Sequence, residues 1–300
     1  MTIKPVPESN ESSHPPPDAA PAPRLPAPEL RPFIKHYRLQ EVDIDTWDRW
    51  APAWTQTFVL LNYGEIYHMK ALKGPLIQGF PAMIAGIRTL PAIGTVPFVR
   101  MRAVAVELQP FATYSWTGNR VAETVDGSLD ASDFMPGAHR LLREIAPLPF
   151  EVKCQRLDEY FGPLFNNIEP FQHESLEKAL SVLTEPADQQ SIEARVERAG
   201  LSSRHFRRLF RQVTGVSPKV YSRILRMERV LQDFHSNPDL NYLERVHGFY
   251  DQSHFIREFK RFTNVTPRAL IKAFQEQSVR QVHSNLESGP EDPSRNSSIP

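Results

Sequence analysis

Residues 202–218 read SSRHFRRLFRQVTGVSP, and residues 251–267 read DQSHFIREFKRFTNVTP. Laid over one another without a gap, the two segments agree at seven of seventeen positions, at a constant offset of 49 residues. The identical pairs are His205/His254, Phe206/Phe255, Arg208/Arg257, Phe210/Phe259, Thr214/Thr263, Val216/Val265 and Pro218/Pro267. Self-similarity at a fixed offset indicates one structural unit used twice.

Each segment predicts an amphipathic α-helix. Phe255, Phe259 and Phe262 fall at positions i, i+4 and i+7, which form one face of a helix, and the first segment repeats this apolar spacing. The opposite face is polar and mostly basic in both copies, with Arg204, Arg208 and Arg211 in the first and Ser253, Arg257 and Lys260 in the second.

The ends of the two predicted helices carry matching signals. Ser202 and Asp251 stand just ahead of them, where a short side-chain oxygen can accept hydrogen bonds from free N–H groups. Gly215 and Asn264 follow them, and these residue types best tolerate the left-handed backbone of a helix stop. The two helices are therefore expected to start and stop at equivalent positions.

A shorter helical segment and a glycine turn precede each basic helix. Residues 191–199 lead into Gly200, and residues 240–247 lead into Gly248. This is the helix-turn-helix arrangement, whose second helix lies in the DNA major groove. One charge-rich helix alone is as well explained by a solvated surface, but two copies with the same basic face favour DNA.

Eleven side chains of the two helices are candidate DNA contacts. They are Ser203, Arg204, His205, Arg208, Arg211, Gln252, Ser253, His254, Arg257, Lys260 and Arg261. Arg204, Arg208 and Arg257 are the candidates for reading guanine, because a guanidinium can bond O6 and N7 together. Arg211, Lys260 and Arg261 lie nearer the C-terminal half of each helix and are candidates for phosphate contacts. Phosphate contacts add affinity but little sequence selectivity.

The segments GFYDQSHFIREFKRFTNVTP and GLSSRHFRRLFRQVTGVSPKVYSRILRMERVLQDF resemble the signature of the AraC/XylS family of bacterial transcription regulators. The resemblance extends over about a hundred residues, from near Glu174 to near Phe274. It implies a seven-helix domain with two helix-turn-helix motifs joined by a long helix from Pro218 to about Phe234.

The sequence departs from that family at three positions. Arg195 stands where the family usually has a buried leucine, Glu244 where it has alanine, and His247 where it has an apolar residue. The departures concern the packing of the first helix of each motif.

The resemblance also implies a function. It predicts a transcription regulator, more often an activator, that binds double-stranded DNA in the bacterial cytoplasm. A small-molecule effector acting through the N-terminal half, RNA polymerase and a second copy of the chain are the further candidate partners.

The charge distribution agrees with a basic domain joined to an acidic one. The chain has 35 Lys/Arg and 35 Asp/Glu. Residues 191–272 hold sixteen Lys/Arg against eight Asp/Glu, a net of +8, so the remainder carries −8. A basic domain of this kind suits binding to a polyanion.

Composition predicts the domain organisation of an α+β, multidomain protein. Residues 1–28 are rich in proline and predicted to be disordered, and residues 29–165 form a β-rich domain with helices at its end. A linker at 166–173 precedes the double helix-turn-helix domain at 174–276 and a loose tail at 277–300. No stretch approaches the roughly 20 apolar residues that span a bilayer, and a single cysteine fits the cytoplasm.

Within the β-rich domain, short apolar runs predict strands and periodic runs predict helices. The predicted strands are 57–61, 81–87 and 98–108, and the predicted helices are 111–116, 138–145 and 152–161. The passage from Val106 to Phe111 resembles the cupin-like N-terminal domain of some members of the same family.

No metal, cofactor or catalytic site is predicted in this domain. Its histidines, His36, His68 and His139, lack the spacing of metal ligands, and Cys154 is interpreted as a small buried filler rather than a reactive thiol. Seven aromatic residues are candidates to line an apolar pocket, although a core role is commoner: Trp47, Trp50, Trp54, Phe98, Phe111, Tyr114 and Trp116.

Two other functions stay open at this point. One is an enzyme whose β domain binds a metal or substrate while the helical domain only targets it to DNA. The other is a protein-interaction module whose basic helices meet an acidic partner.

Overall fold

The computed structural model describes residues 21–44, 50–72, 74–96, 99–170 and 202–272, together with positions 174, 177, 180, 196, 197 and 200. The predictions that involve residues 1–20, Trp47, Phe98, Arg195 and the tail after residue 272 lie outside the described residues, and so do the side chain of Trp50 and the predicted helix at 191–199 except positions 196 and 197. Within the described part of the chain, no helix is long and apolar enough to cross a membrane.

The described part of the N-terminal domain contains nine strands. They are β1 (Ile34–Ile44), β2 (Trp50–Ala51), β3 (Phe58–Asn62), β4 (Met69–Ala71), β5 (Leu76–Ile77), β6 (Ala82–Ala85), β7 (Ala92–Gly94), β8 (Val99–Leu108) and β9 (Ser128–Asp130). The first sheet has the order β1-β8-β3-β6-β9 and the second has the order β2-β7-β4-β5. All the pairings among these strands are antiparallel.

The five-stranded sheet buries both of its faces. In β8 the side chains of Val104, Val106 and Leu108 enter one hydrophobic core, while Met101 and Ala105 belong to another. Successive side chains of a strand point to opposite faces, so one strand serves both cores. This explains why β8 reads as an apolar run rather than a clean alternation.

Three helices close the outer face of this sheet. They are α1 (Ala112–Thr117), α2 (Ala138–Ile145) and α3 (Phe150–Phe165). Lys153 joins the last two, because its buried amine donates to the carbonyl oxygens of Ile145, Ala146 and Leu148 at 2.8, 2.9 and 2.5 Å. Cys154 is buried in α3, and burial raises the pKa of its thiol to about 12, which agrees with a filler role.

The chain joins the β domain a few residues before the predicted boundary at residue 29. Arg24 and Tyr37 exchange two backbone hydrogen bonds, of 2.9 and 2.7 Å. The Ala27 amide and the Tyr37 hydroxyl both donate to the Asp158 carboxylate of α3. Residues 24–28 of the segment predicted to be disordered are thus held against the sheet.

The C-terminal domain is helical. It contains α4 (Ser203–Thr214), α5 (Pro218–Ser236), α6 (Leu240–Val246) and α7 (Gln252–Thr263), and residues 267–272 are helical as well. The long α5 begins at the predicted proline, with Ser217 as its cap, and α6 lies where the first helix of the second motif was predicted. A β-rich domain followed by a helical domain confirms the predicted fold class.

The two domains share one hydrophobic cluster. Ala53, Ile87 and Phe111 of the β domain pack with the aromatic core of the helical domain. The Ala53 amide donates to the Phe262 carbonyl at 2.9 Å, so the contact also includes backbone hydrogen bonding. The helical domain is therefore docked on the β domain in this structure.

Candidate nucleic-acid interface

The caps of α4 and α7 match one another. The Ser202 hydroxyl accepts a hydrogen bond from the His205 amide at 3.3 Å, and the Asp251 carboxylate accepts one from the His254 amide at 2.6 Å. Both helices stop in the left-handed conformation, with φ of 78° at Gly215 and 63° at Asn264. The cap and stop signals read in the sequence are present in both copies.

A threonine fixes each helix stop. The Thr214 hydroxyl donates to the Phe210 carbonyl at 2.7 Å and accepts from the Val216 amide at 3.3 Å. Thr263 makes the same pair of bonds one repeat later, at 2.6 and 3.3 Å. The repeated Thr-x-Val is therefore a structural feature that places the start of the following helix.

Aromatic side chains hold the inner faces of both helices. Phe206, Phe210, Phe255 and Phe259 are all fully buried. Phe210 meets Tyr221 of α5 edge to face, with ring centroids 5.3 Å apart. This packing commits one face of each helix to the core and turns the other to solvent.

The predicted contact residues lie mainly on the solvent face. Nine are exposed: Arg204, His205, Arg208, Arg211, Gln252, Ser253, Arg257, Lys260 and Arg261. Ser203 and His254 are half-buried. Neither basic face is buried against the β domain.

His254 is partly committed to the interior. Its ring lies edge-on to Phe249 with centroids 5.6 Å apart, and its Nδ1 atom is buried without a hydrogen-bond partner among the described residues. Its equivalent His205 is exposed, so the two histidines of the repeat occupy different surroundings.

An ion pair fixes α7 against the central helix. Arg223 of α5 donates from Nε and Nη2 to the two carboxylate oxygens of Glu258, at 2.8 and 2.5 Å. Burial acts to raise the pKa of Glu258, but the Arg223 guanidinium prevails and holds that pKa below its ordinary value. A two-point contact of this kind fixes orientation as well as distance.

His247, the departure noted in the sequence, is accommodated by a polar partner. Its ring is buried at the end of α6, and its Nε2 lies 2.9 Å from the Asp233 carboxylate of α5. Burial lowers the pKa of His247 even though Asp233 acts in the opposite direction. A hydrogen bond thus joins α6 to α5 where an apolar contact was expected.

Two exposed residues of this surface, Arg207 and Tyr250, were not among the predicted contacts. Arg207 is exposed on α4, beside the predicted face, and Tyr250 is 91% exposed in the turn just before α7. An aromatic residue directly ahead of the cap Asp251 was the available signal for Tyr250. Gln212, near the C-terminal end of α4, donates to the Tyr114 hydroxyl of the β domain at 2.8 Å, so this end of the helix contacts the β domain.

Comparison with known proteins agrees with this geometry. A family described as a helix-turn-helix domain matches residues 196–273. The multiple antibiotic resistance protein MarA of Salmonella typhimurium is 36% identical over 78 residues, which are 26% of this chain and 61% of MarA, and MarA of Escherichia coli K12 matches equally well. The C-terminal part of this chain, residues 196–273, is thus similar to a helix-turn-helix domain.

The helix-turn-helix match covers only part of this chain and part of its curated relatives. The matched segment spans about three fifths (61%) of the length of the curated MarA relatives. Solved structures of ToxT from Vibrio cholerae align with 77% of this chain and 95% of ToxT at 9% identity and a TM-score of 0.43. A fatty-acid-bound ToxT structure aligns at 11% identity and a TM-score of 0.46, over 77% of this chain and 93% of that chain.

Proposed function

We propose that this chain is a sequence-specific DNA-binding regulator of transcription. The observation that carries the proposal is the duplicated exposed basic face of α4 and α7, held by equivalent caps, equivalent threonine stops and buried phenylalanines. In a helix-turn-helix domain such faces enter successive major grooves, roughly 34 Å apart along one side of the duplex.

Residue roles follow from chemistry and position along each helix. Arg204, Arg208 and Arg257 read guanine edges, while Arg211, Lys260 and Arg261 hold phosphates. Four others contact bases or phosphates: His205, Gln252, Ser253 and His254. Ser203, at the first position of α4, is the remaining candidate.

The proposal includes further partners and assigns no catalytic step. The β domain would receive a small-molecule effector, and RNA polymerase and a second copy of the chain are the protein partners that the AraC-type domain suggests. Binding to chromosomal DNA would place the protein in the bacterial cytoplasm.

Selection from a random DNA pool at about 150 mM salt tests the proposal, because specific binding survives where non-specific binding weakens. We expect retained fragments to share a motif with two contacted segments one helical turn apart. Retention of no fragments, or of fragments without a common motif, would contradict the proposed function.

Arg208→Ala tests the assignment of roles. We expect it to relax sequence preference at one position by about 1–3 kcal/mol. Arg207→Ala removes the same charge from the same helix, but from a side chain beside the predicted face, and should leave that preference unchanged. Equal weakening of Arg208→Ala on every sequence would make Arg208 a phosphate contact.

A further inference from the structure

A cavity of about 250 Å³ lies inside the β domain, between the two sheets. Its apolar walls include Trp54 and five strand residues, Phe58, Leu60, Met69, Met83 and Met101. In β3 and β6 the side chains of Val59, Leu61 and Ile84 point to the core on the opposite face. The cavity residues therefore alternate with core residues along these two strands. Its volume suits a small organic molecule, slightly below the roughly 300–1,000 Å³ of drug-sized pockets.

Two strong hydrogen-bond donors in this apolar cavity lack strong acceptors among the residues that the structure describes. Arg88 is 5% exposed, its Nη1 has no hydrogen-bond partner there, and its Nη2 donates to the thioether sulfur of Met69 at 3.6 Å. The Tyr67 hydroxyl likewise donates to the thioether of Met101 at 3.7 Å. Thioether sulfur is a weak acceptor, and unpaired buried donors are costly.

The backbone and an aromatic ring hold the guanidinium in place. Arg88 and Trp54 exchange two backbone hydrogen bonds of 2.9 Å, and the guanidinium carbon lies 3.9 Å from the centre of the Trp54 ring. The indole N–H donates to the Gly86 carbonyl at 3.1 Å, which fixes the ring. Cation–π contact stabilises the charge on one side but supplies no acceptor for the N–H groups.

Glu107, which lines the cavity, and Asp126, whose charge acts on Arg88, both have other partners. The Glu107 carboxylate is bonded to Lys35 at 2.8 Å and His36 at 2.9 Å. The Asp126 carboxylate accepts from the amides of Thr89 and Leu90 and from the Thr89 hydroxyl. Burial lowers the pKa of Arg88 to about 10, so its charge persists at neutral pH.

We propose that this cavity binds a small organic carboxylate, whose two oxygens accept hydrogen bonds from Arg88 and Tyr67 while its apolar body contacts the aromatic and methionine side chains. A guanidinium matches a carboxylate in shape and charge, and ligand pockets typically combine apolar walls with a few fixed polar groups. The inference rests on the proposed function in that it names the chemical class of the effector.

Titration of the purified full chain tests the ligand class without any variant. The probes are hexanoate, decanoate, benzoate and 1-naphthoate, each paired with its primary amide and followed by calorimetry. We expect at least one acid to bind roughly tenfold or more tighter than its amide, because only the acid offers two charged acceptors. Inorganic phosphate, which lacks an apolar body, should bind no tighter than the amides. If none of the acids binds, or if acids and amides bind alike, the proposal fails.

Two variants locate the binding site, each with a matched control. Tyr67→Phe removes one hydroxyl from the cavity, and Tyr160→Phe removes one that bonds the Pro136 carbonyl elsewhere in the domain. Arg88→Met removes the buried charge, and Arg140→Met removes an exposed one on α2. We expect the cavity variants to weaken the acid by roughly tenfold or more, and the controls to have no effect. Unchanged affinity in Tyr67→Phe and Arg88→Met would place the ligand elsewhere and overturn the assignment; if Arg88→Met fails to fold, Tyr67→Phe decides.

These titrations contain no DNA, so their outcome is independent of the selection experiment. A chain that selects a DNA motif but binds no carboxylate would retain the proposed function and lose this inference. A chain that binds the acid through Arg88 but selects no DNA would retain the carboxylate site and lose the proposed function.

Discussion

Gly215 and Asn264 occupy equivalent helix stops, yet substitution at the two positions should have unequal costs. Both have the left-handed conformation, which costs an ordinary L-residue about 1–2 kcal/mol. Asn264 is exposed, whereas a Cβ at Gly215 would lie 2.5 Å from the Val125 Cγ2 of the β domain. Gly215→Ala should therefore lower the free energy of unfolding more than Asn264→Ala, as measured by urea unfolding.

A double variant separates strain from collision. Val125→Ala removes both γ-methyl groups of Val125, including the Cγ2 that a Cβ at position 215 would overlap, and leaves a small cavity. We expect Val125→Ala to recover part of the loss caused by Gly215→Ala. If Val125→Ala is equally destabilising in the wild-type chain and in the Gly215→Ala variant, the domain contact at Gly215 plays no part in stability.

The contact between α6 and α5 should make this part of the helical domain sensitive to acid. Because burial lowers the pKa of His247, the neutral ring is favoured in the fold. This contribution is complete above the unfolded pKa, near 6.5, and is lost as pH falls through the lowered value. Amide hydrogen exchange of α6, corrected for intrinsic rates, should show weaker protection at pH 5.5 than at pH 7.5.

His247→Leu removes the titrating group and leaves Asp233 half exposed to water. We expect the variant to retain similar protection of α6 at both pH values. His139→Leu, on α2 of the other domain, should keep the acid sensitivity of the wild type. Persistence of the full pH effect in His247→Leu would assign that effect to another group.

At the scale of single elements, helices and strands with local sequence signals could be predicted, whereas elements that depend on long-range pairing could not. The spacing of apolar residues in 138–145 gave the limits of α2, and caps and stops gave those of α4 and α7. Strand β1 was missed because its many charged residues hide its alternation, as suits a strand at the edge of the sheet with β8 as its only named neighbour. Strands of two or three residues, such as β2 and β5, are too short to show a period and form through distant pairing.

The candidate sites divide in the same way. The basic faces follow from helical period, so one sequence segment contains each of them. The cavity brings together Trp54, Tyr67 and Arg88 from three separate segments, and only the sheet register unites them. Among the predicted pocket aromatics whose side chains are described, Trp54 lines the cavity, Phe111 and Tyr114 face the helical domain, and Trp116 packs in the outer core.

Over the whole molecule, one short segment contacts both the cavity and the helical domain. Ala51, Trp54 and Gln56 line the cavity. Between them, the Ala53 amide donates to the Phe262 carbonyl of α7, and Thr55 donates from its amide and its hydroxyl to the Glu228 carboxylate of α5, each at 2.7 Å. A ligand that moves Trp54 would therefore act on the residues that hold the two domains together.

Glu228 should control that docking. Glu228→Ala removes both acceptors for Thr55, and we expect the Thr55 and Ala53 amides to exchange hydrogen faster with solvent, while amides of the outer core around α3 stay protected. Glu244→Ala removes a carboxylate that makes none of the described hydrogen bonds between the domains, and should leave these rates unchanged. Burial raises the pKa of Glu228, although the two hydrogen bonds that its carboxylate accepts from Thr55 act in the opposite direction. Equal exchange of Thr55 in Glu228→Ala and the wild type would show that the carboxylate does not hold the domains together.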